Sequence, residues 1–190
     1  FDLMLTNYQP KWIPLFPNGE RNIPSSEMVG FEKKKDGYSM GGCYLYAFDK
    51  TGDVVNRTPN HLDQSIVYIG TAGSSKHRGI VSRTQDFTTT ILRGNELKNP
   101  YANGIHFRIQ EGVENRKFLY ASYIPMGYGP DVKLKAHERE SQLLSDYENE
   151  YGFLPAFNTD LCNVGMMCDM YAQLSEEQRQ TFLRNIENSC

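Results

Sequence analysis

A chain of 190 residues, 39% hydrophobic and 12% aromatic, holds enough apolar material for one domain with its own core and a modest extension, and too much for a disordered segment. No apolar run reaches the length of a membrane span, and the opening FDLMLTNYQP lacks the regions of a signal peptide, so a soluble, cytoplasmic protein is expected. The net charge of −3 argues mildly against a polyanionic partner, but residues 76–117 hold eight Lys/Arg against four Asp/Glu and residues 138–190 three against ten, so the middle of the chain is where an anion would be met.

Residues 1–40 are rich in Pro, Gly and polar side chains, with Trp12 and a basic run at 33–35, and read as an extended arm that wraps the core or contacts a partner. Residues 42–48 and 65–70 form two β-rich segments, and the polar stretch TGDVVNRTPNHLDQ between them is a loop or small hairpin. VSRTQDFTTTILRG is expected to be helical, because Ile80, Phe87 and Ile91 keep to one face and Arg93–Gly94 is a stop signal. Residues 105–110 (IHFRIQ) and 117–125 (KFLYASYIP) read as further strands. A long helix follows, with Asp131 near its start and Gly152 at its end, and a last helix begins at Ser175, whose spacing to Gln178 fits a capping box.

Four cysteines, at 43, 162, 168 and 190, include no CxxC pair, so reduced thiols are expected. A Cys162–Cys168 bridge or a zinc site has weak support, since four-ligand spacing is absent.

The long helix carries the most informative residue. Ala136, Leu143, Leu144, Tyr147 and Tyr151 recur at helical spacing, with Glu140 in the middle of their stripe. A carboxylate on an inward face needs a partner, either an arginine from another helix or a metal ion at the floor of a cleft. On a helix through 80–91, Arg83 lies at the edge of the buried face and leans toward Glu140, whereas Arg78 falls in the preceding loop and stays as the alternative.

At this point the residues resemble the GIY-YIG nuclease family. Gly42-Cys43-Tyr44 and Tyr68-Ile69-Gly70 are similar to the two halves of its signature. An arginine on the first helix follows, then a glutamate segment in Glu138-Arg139-Glu140 with Leu143-Leu144, then a closing asparagine, Asn158, at the end of LPAFN. The resemblance covers about residues 41–160 and leaves 1–40 as an N-terminal arm and 161–190 as a C-terminal helical extension. Three departures stand out: Cys43 replaces an isoleucine, an insertion at about 49–64 separates the tyrosines, and Phe87 occupies the place of a common histidine or tyrosine one turn after the arginine. His77 substitutes there only if its loop folds back.

The resemblance implies an α/β (α+β) fold, a small, mostly antiparallel sheet of three or more strands flanked by helices. It implies metal-dependent hydrolysis of double-stranded DNA to 5′-phosphate and 3′-hydroxyl ends. In that scheme Glu140 holds Mg2+ or Mn2+, Tyr44 activates water in a relay with Tyr68, Arg83 neutralises the phosphate and Asn158 orients the site. The compact chain is similar to stand-alone restriction-type or phage enzymes, and cutting both strands would call for a homodimer. The competing expectation is a non-catalytic DNA-binding or assembly protein that retains the fold.

Overall fold

The computed structural model describes residues 10–22, 24, 30–58, 62–94, 101–158 and 174–181. In chain order its strands are β1 (Ile13–Pro14), β2 (Lys34–Lys35), β3 (Tyr38–Ser39), β4 (Gly41–Phe48), β5 (Ile66–Ala72) and β6 (Leu119–Gly127), and its helices are α1 (Ile80–Arg93), α2 (Ala102–Gln110) and α3 (Val132–Tyr151). Strands β1, β6, β4 and β5 pair in that order into a four-stranded antiparallel sheet, and β2 and β3 form a separate two-stranded one. The fold is α+β, as expected.

The sequence of β4 explains its central place. GGCYLYAF has no polar face, so it is stable only where both sides are covered. Tyr44 and Tyr46 pack with Ile80, Phe87 and Ile91 of α1 and Phe107 of α2. Cys43, Leu45 and Ala47 point the other way, onto Ile66, Ile69 and the Leu143–Tyr147 face of α3. Tyr46 and Phe87 stack with ring centroids 4.2 Å apart, an arrangement that contributes about 0.5–1.5 kcal/mol beyond the area it buries. Behind them, the Tyr46 and Tyr123 hydroxyls both donate to Thr84 Oγ1, at 3.3 and 2.7 Å, so the aromatic core keeps its polar ends bonded.

Both long helices run as the sequence predicts. At the end of α3, Gly152 adopts a left-handed conformation (φ 78°) and its N–H donates to Glu148 O at 2.7 Å. Ser175 and Gln178 exchange the expected capping bonds, Ser175 N to Gln178 Oε1 at 2.9 Å and Gln178 N to Ser175 Oγ at 3.4 Å, ahead of a helical turn at 176–181. The Gln178 amide also donates to Gly94 O, tying this turn to the end of α1.

Residues 105–110 are helical, not a strand. Their alternation of apolar and polar residues has the period of a strand, but Ile105, His106 and Phe107 are buried one after another, which a strand packed on one face would not allow. The helix lies so close to α1 that a Cβ on Gly104 would sit 2.6 Å from Thr90 Cγ2. β6 begins two residues later than expected because residues 113–118 wind into a 3-10 turn.

The N-terminal arm is partly core. Ile13 and Pro14 pair with Ala121 and Tyr120 of β6, and Trp12, Leu15 and Phe16 are buried. Cys43 is a free, buried thiol whose Sγ lies 3.3 Å from Ala136 O, and burial pushes its pKa up to about 12, so it is inert near neutrality. Cys162, Cys168 and Cys190 lie outside the described residues. Among the described residues no helix is long and apolar enough to cross a membrane.

Candidate active site

β5 has β4 on one side only, and the two faces of the sheet meet around its free edge. A cleft of about 400 Å3 opens there. Tyr44 and Tyr68 reach it from the α1 side of the sheet, Arg83 comes from α1 itself, Glu140 comes from α3 on the opposite face, and Asn158 closes the end.

The glycine of the Tyr68-Ile69-Gly70 stretch makes the tyrosine pair possible. Gly70 is the partner of Tyr44 in the β4–β5 ladder, and Tyr68 is the partner of Tyr46. The Tyr44 and Tyr68 rings lie 6.0 Å apart between centroids, tilted by 33° to each other. Burial pushes both phenols above their ordinary pKa; for Tyr44 the neighbouring Tyr68 adds to this, and for Tyr68 the Glu140 carboxylate does, while Arg83 opposes the rise in both. Both are therefore protonated near neutral pH.

Arg83 is oriented by Tyr101, which precedes α2. Its Nη1 donates to the Tyr101 hydroxyl at 2.8 Å, and its guanidinium carbon lies 5.7 Å from that ring's centroid. Its Nε, sealed from solvent, has no hydrogen-bond partner.

Glu140 keeps 22% of its side chain exposed and pairs with His137, one turn earlier on α3, at 3.4 Å. Of the two alternatives for this carboxylate, an ion pair with an arginine from another helix is not formed among the described residues; its ion-pair partner is on its own helix. Burial raises the Glu140 pKa, and the bond from His137 offsets this in part. Glu140 is a partly exposed carboxylate at the cleft, the kind of donor a hard cation takes, and among the described residues no three His, Cys, Asp or Glu side chains come together.

Asn158 holds the edge strand. Its Oδ1 accepts from Ile69 N at 2.8 Å and its Nδ2 donates to Ile69 O at 2.7 Å, so one amide side chain imitates a neighbouring strand beside the middle residue of Tyr68-Ile69-Gly70.

All five principal candidates line this cleft, and the two alternates do not. Arg78 is 57% exposed, pairs with Asp86 at 3.4 Å and reaches the cleft only indirectly, by donating to the Tyr101 hydroxyl at 2.7 Å. His77 lies beside Lys33 and Lys34 in a second cavity of about 190 Å3, so its loop does not fold back. Phe87 is core. The sequence reading missed Thr71, Tyr101, His106 and His137, which also line the cleft. His137 was visible as the i−3 neighbour of Glu140 on a predicted helix, and His106 was hidden by the strand assignment.

No protein-family model, curated protein or solved structure matches the chain.

Proposed function

We propose that the chain is a metal-dependent endonuclease that hydrolyses phosphodiester bonds in double-stranded DNA, with a site of GIY-YIG type and an activity of restriction type. The observation that carries this reading is the meeting, in one open cleft, of a carboxylate, a guanidinium with an unspent N–H, and two neighbouring phenols. These come from both faces of the sheet, and no single element could have brought them together.

Each residue has work suited to its surroundings. Arg83, fixed by Tyr101, presents a permanent charge to a phosphate oxygen and stabilises the negative charge that grows as phosphorus is attacked. Glu140 is the residue that would hold Mg2+ or Mn2+. When bound, the cation would supply Lewis-acid polarisation of the phosphate. Tyr44 and Tyr68, protonated by burial, are donors in the resting site: they orient the attacking water or a phosphate oxygen. For Tyr44 to take the proton of that water, as the resemblance implies, its pKa must fall from this raised resting value. Asn158 has both amide atoms committed to Ile69, so it positions β5 and does no chemistry.

The test is cleavage of supercoiled plasmid with Mg2+, comparing wild type with Glu140→Gln. Nicked or linear product from the wild type alone supports the reading. Equal cutting by both proteins would refute the assignment of Glu140, and no cutting by the wild type would favour a DNA-binding or assembly role.

A further inference from the structure

Five solvent-sealed side-chain polar atoms among the described residues lack a hydrogen-bond partner, and three of them, Thr71 Oγ1, Arg83 Nε and His106 Nε2, belong to residues that line one cleft, Thr71 on the α3 side of β5 and the other two on the α1 side. Proteins rarely leave such atoms unpaired, because a buried donor or acceptor without a partner loses its bonds to water and gains nothing. Trp12 Nε1 and Asp63 Oδ2, the other two, belong to neither cavity. The cleft's three come from three different elements, β5, α1 and α2, so no local backbone irregularity accounts for them together.

We infer that Thr71 and His106 are substrate contacts that complete, with Arg83, a three-donor cradle for the non-bridging oxygens of one phosphate. Donor chemistry selects the ligand. Arg83 Nε can only donate, the Thr71 hydroxyl can donate, and the neutral imidazole donates at Nε2 in one of its two tautomers. A group that closes all three bonds at once must present acceptors alone, and the guanidinium asks for negative charge. A phosphodiester's two non-bridging oxygens meet both demands. His106 is held for this: it is 1% exposed, its ring lies 4.9 Å from that of Phe157, and burial keeps its pKa below the ordinary value, so near neutrality it remains uncharged. Because the three atoms are sealed, the side chains at the cleft wall must turn slightly outward to receive the phosphate.

The cradle rests on the endonuclease reading for the claim that its phosphate belongs to DNA. Thr71→Val is the deciding variant, because it removes the hydroxyl and keeps the shape. Without ligand, its thermal midpoint should rise, since an unpaired buried hydroxyl is gone. Its affinity for a short duplex, read by fluorescence anisotropy in EDTA, should fall about tenfold, and so should kcat/KM on plasmid. Inorganic phosphate should raise the midpoint of the wild type more than that of Thr71→Val. His106→Gln, which keeps an N–H donor, should lie closer to wild type than His106→Leu. A Thr71→Val protein that binds duplex and phosphate like the wild type overturns the cradle, even if the wild type cuts DNA. A wild type that binds both but never cuts would instead sink the endonuclease reading and leave the cradle standing.

Discussion

Gly70 and Tyr44 face each other across the β4–β5 ladder, and the tyrosine ring occupies the space that a side chain on the glycine would take. A Cβ there would lie 2.6 Å from Tyr44 Cζ, 2.7 Å from the Tyr44 hydroxyl and 2.6 Å from Tyr68 Cε1. Gly70→Ala should therefore push both phenols from their places and cost about 1–3 kcal/mol, as overpacking does. Urea unfolding should show a lower midpoint with an unchanged slope, and plasmid cleavage should fall more than stability does. Normal activity in this variant would mean that the tyrosine pair is not needed where it stands.

Burial raises the pKa of Tyr44, Tyr46 and Tyr68 in the folded state. The sign follows: their contribution to stability is complete below the unfolded value of about 10 and is lost as pH rises above it, because only the unfolded chain then ionises them freely. The melting temperature should be flat from about pH 7 to 9 with respect to these groups and fall above about pH 10. Tyr68→Phe should soften that fall.

Glu140 carries the same sign at the acid end. Its folded pKa is raised, so its protonated form favours folding at low pH and that advantage disappears as pH climbs through the folded value. At neutral pH Glu140→Gln should thus melt higher than wild type when no metal is present. Adding Mg2+ should raise the wild-type midpoint with concentration and leave the variant's unchanged. A variant that melts lower than wild type in EDTA would show that the bond to His137 outweighs the burial of the charge.

The two arginines that share Tyr101 should separate cleanly. Arg83→Ala should lower kcat by about 100-fold or more, the usual consequence of removing a donor aimed at developing charge. Arg78→Ala, at an exposed site paired with Asp86, should lower it less than about tenfold. The reverse order in a plasmid time course would move the catalytic role to Arg78.

Asn158→Ala removes two bonds to Ile69 at once and should destabilise by about 1–3 kcal/mol. Hydrogen exchange offers the sharper reading: the Ile69 amide should lose protection while amides in α1 keep theirs. Asn158→Asp keeps an acceptor for Ile69 N but loses the donor to Ile69 O, and should fall between.

Residues whose neighbours in sequence also decide their surroundings were legible from the start. β4, β5, α1 and α3 were read within two or three residues of their observed ends, because apolar periodicity and stop signals are local. Glu140 stood out for the same reason, as the one carboxylate in an apolar stripe. What failed was the segment from Ile105 to Gln110, where an alternating pattern was outvoted by close packing of Gly104 against Thr90, a contact between residues 14 apart. Once that helix was missed, His106 had no reason to be near the cleft. Tyr101 has no sequence signal at all, and it matters only because Arg83 and Arg78 fold back to it from the other end of a helix pair. The Trp12 to Phe16 stretch did announce itself, as the apolar run WIPLF, but the Pro-rich composition around it read as an arm.

The two borders of the main sheet are covered unequally. On one side β1 pairs with only Tyr120 and Ala121 of the nine-residue β6, and on the other the Asn158 amide occupies the hydrogen-bonding groups of Ile69 in the middle of β5. A second chain adding a strand beside β5 would have to displace that amide first. Two copies that met to cut opposite strands of a duplex would therefore not join along the β5 border without loosening the clamp on Tyr68-Ile69-Gly70.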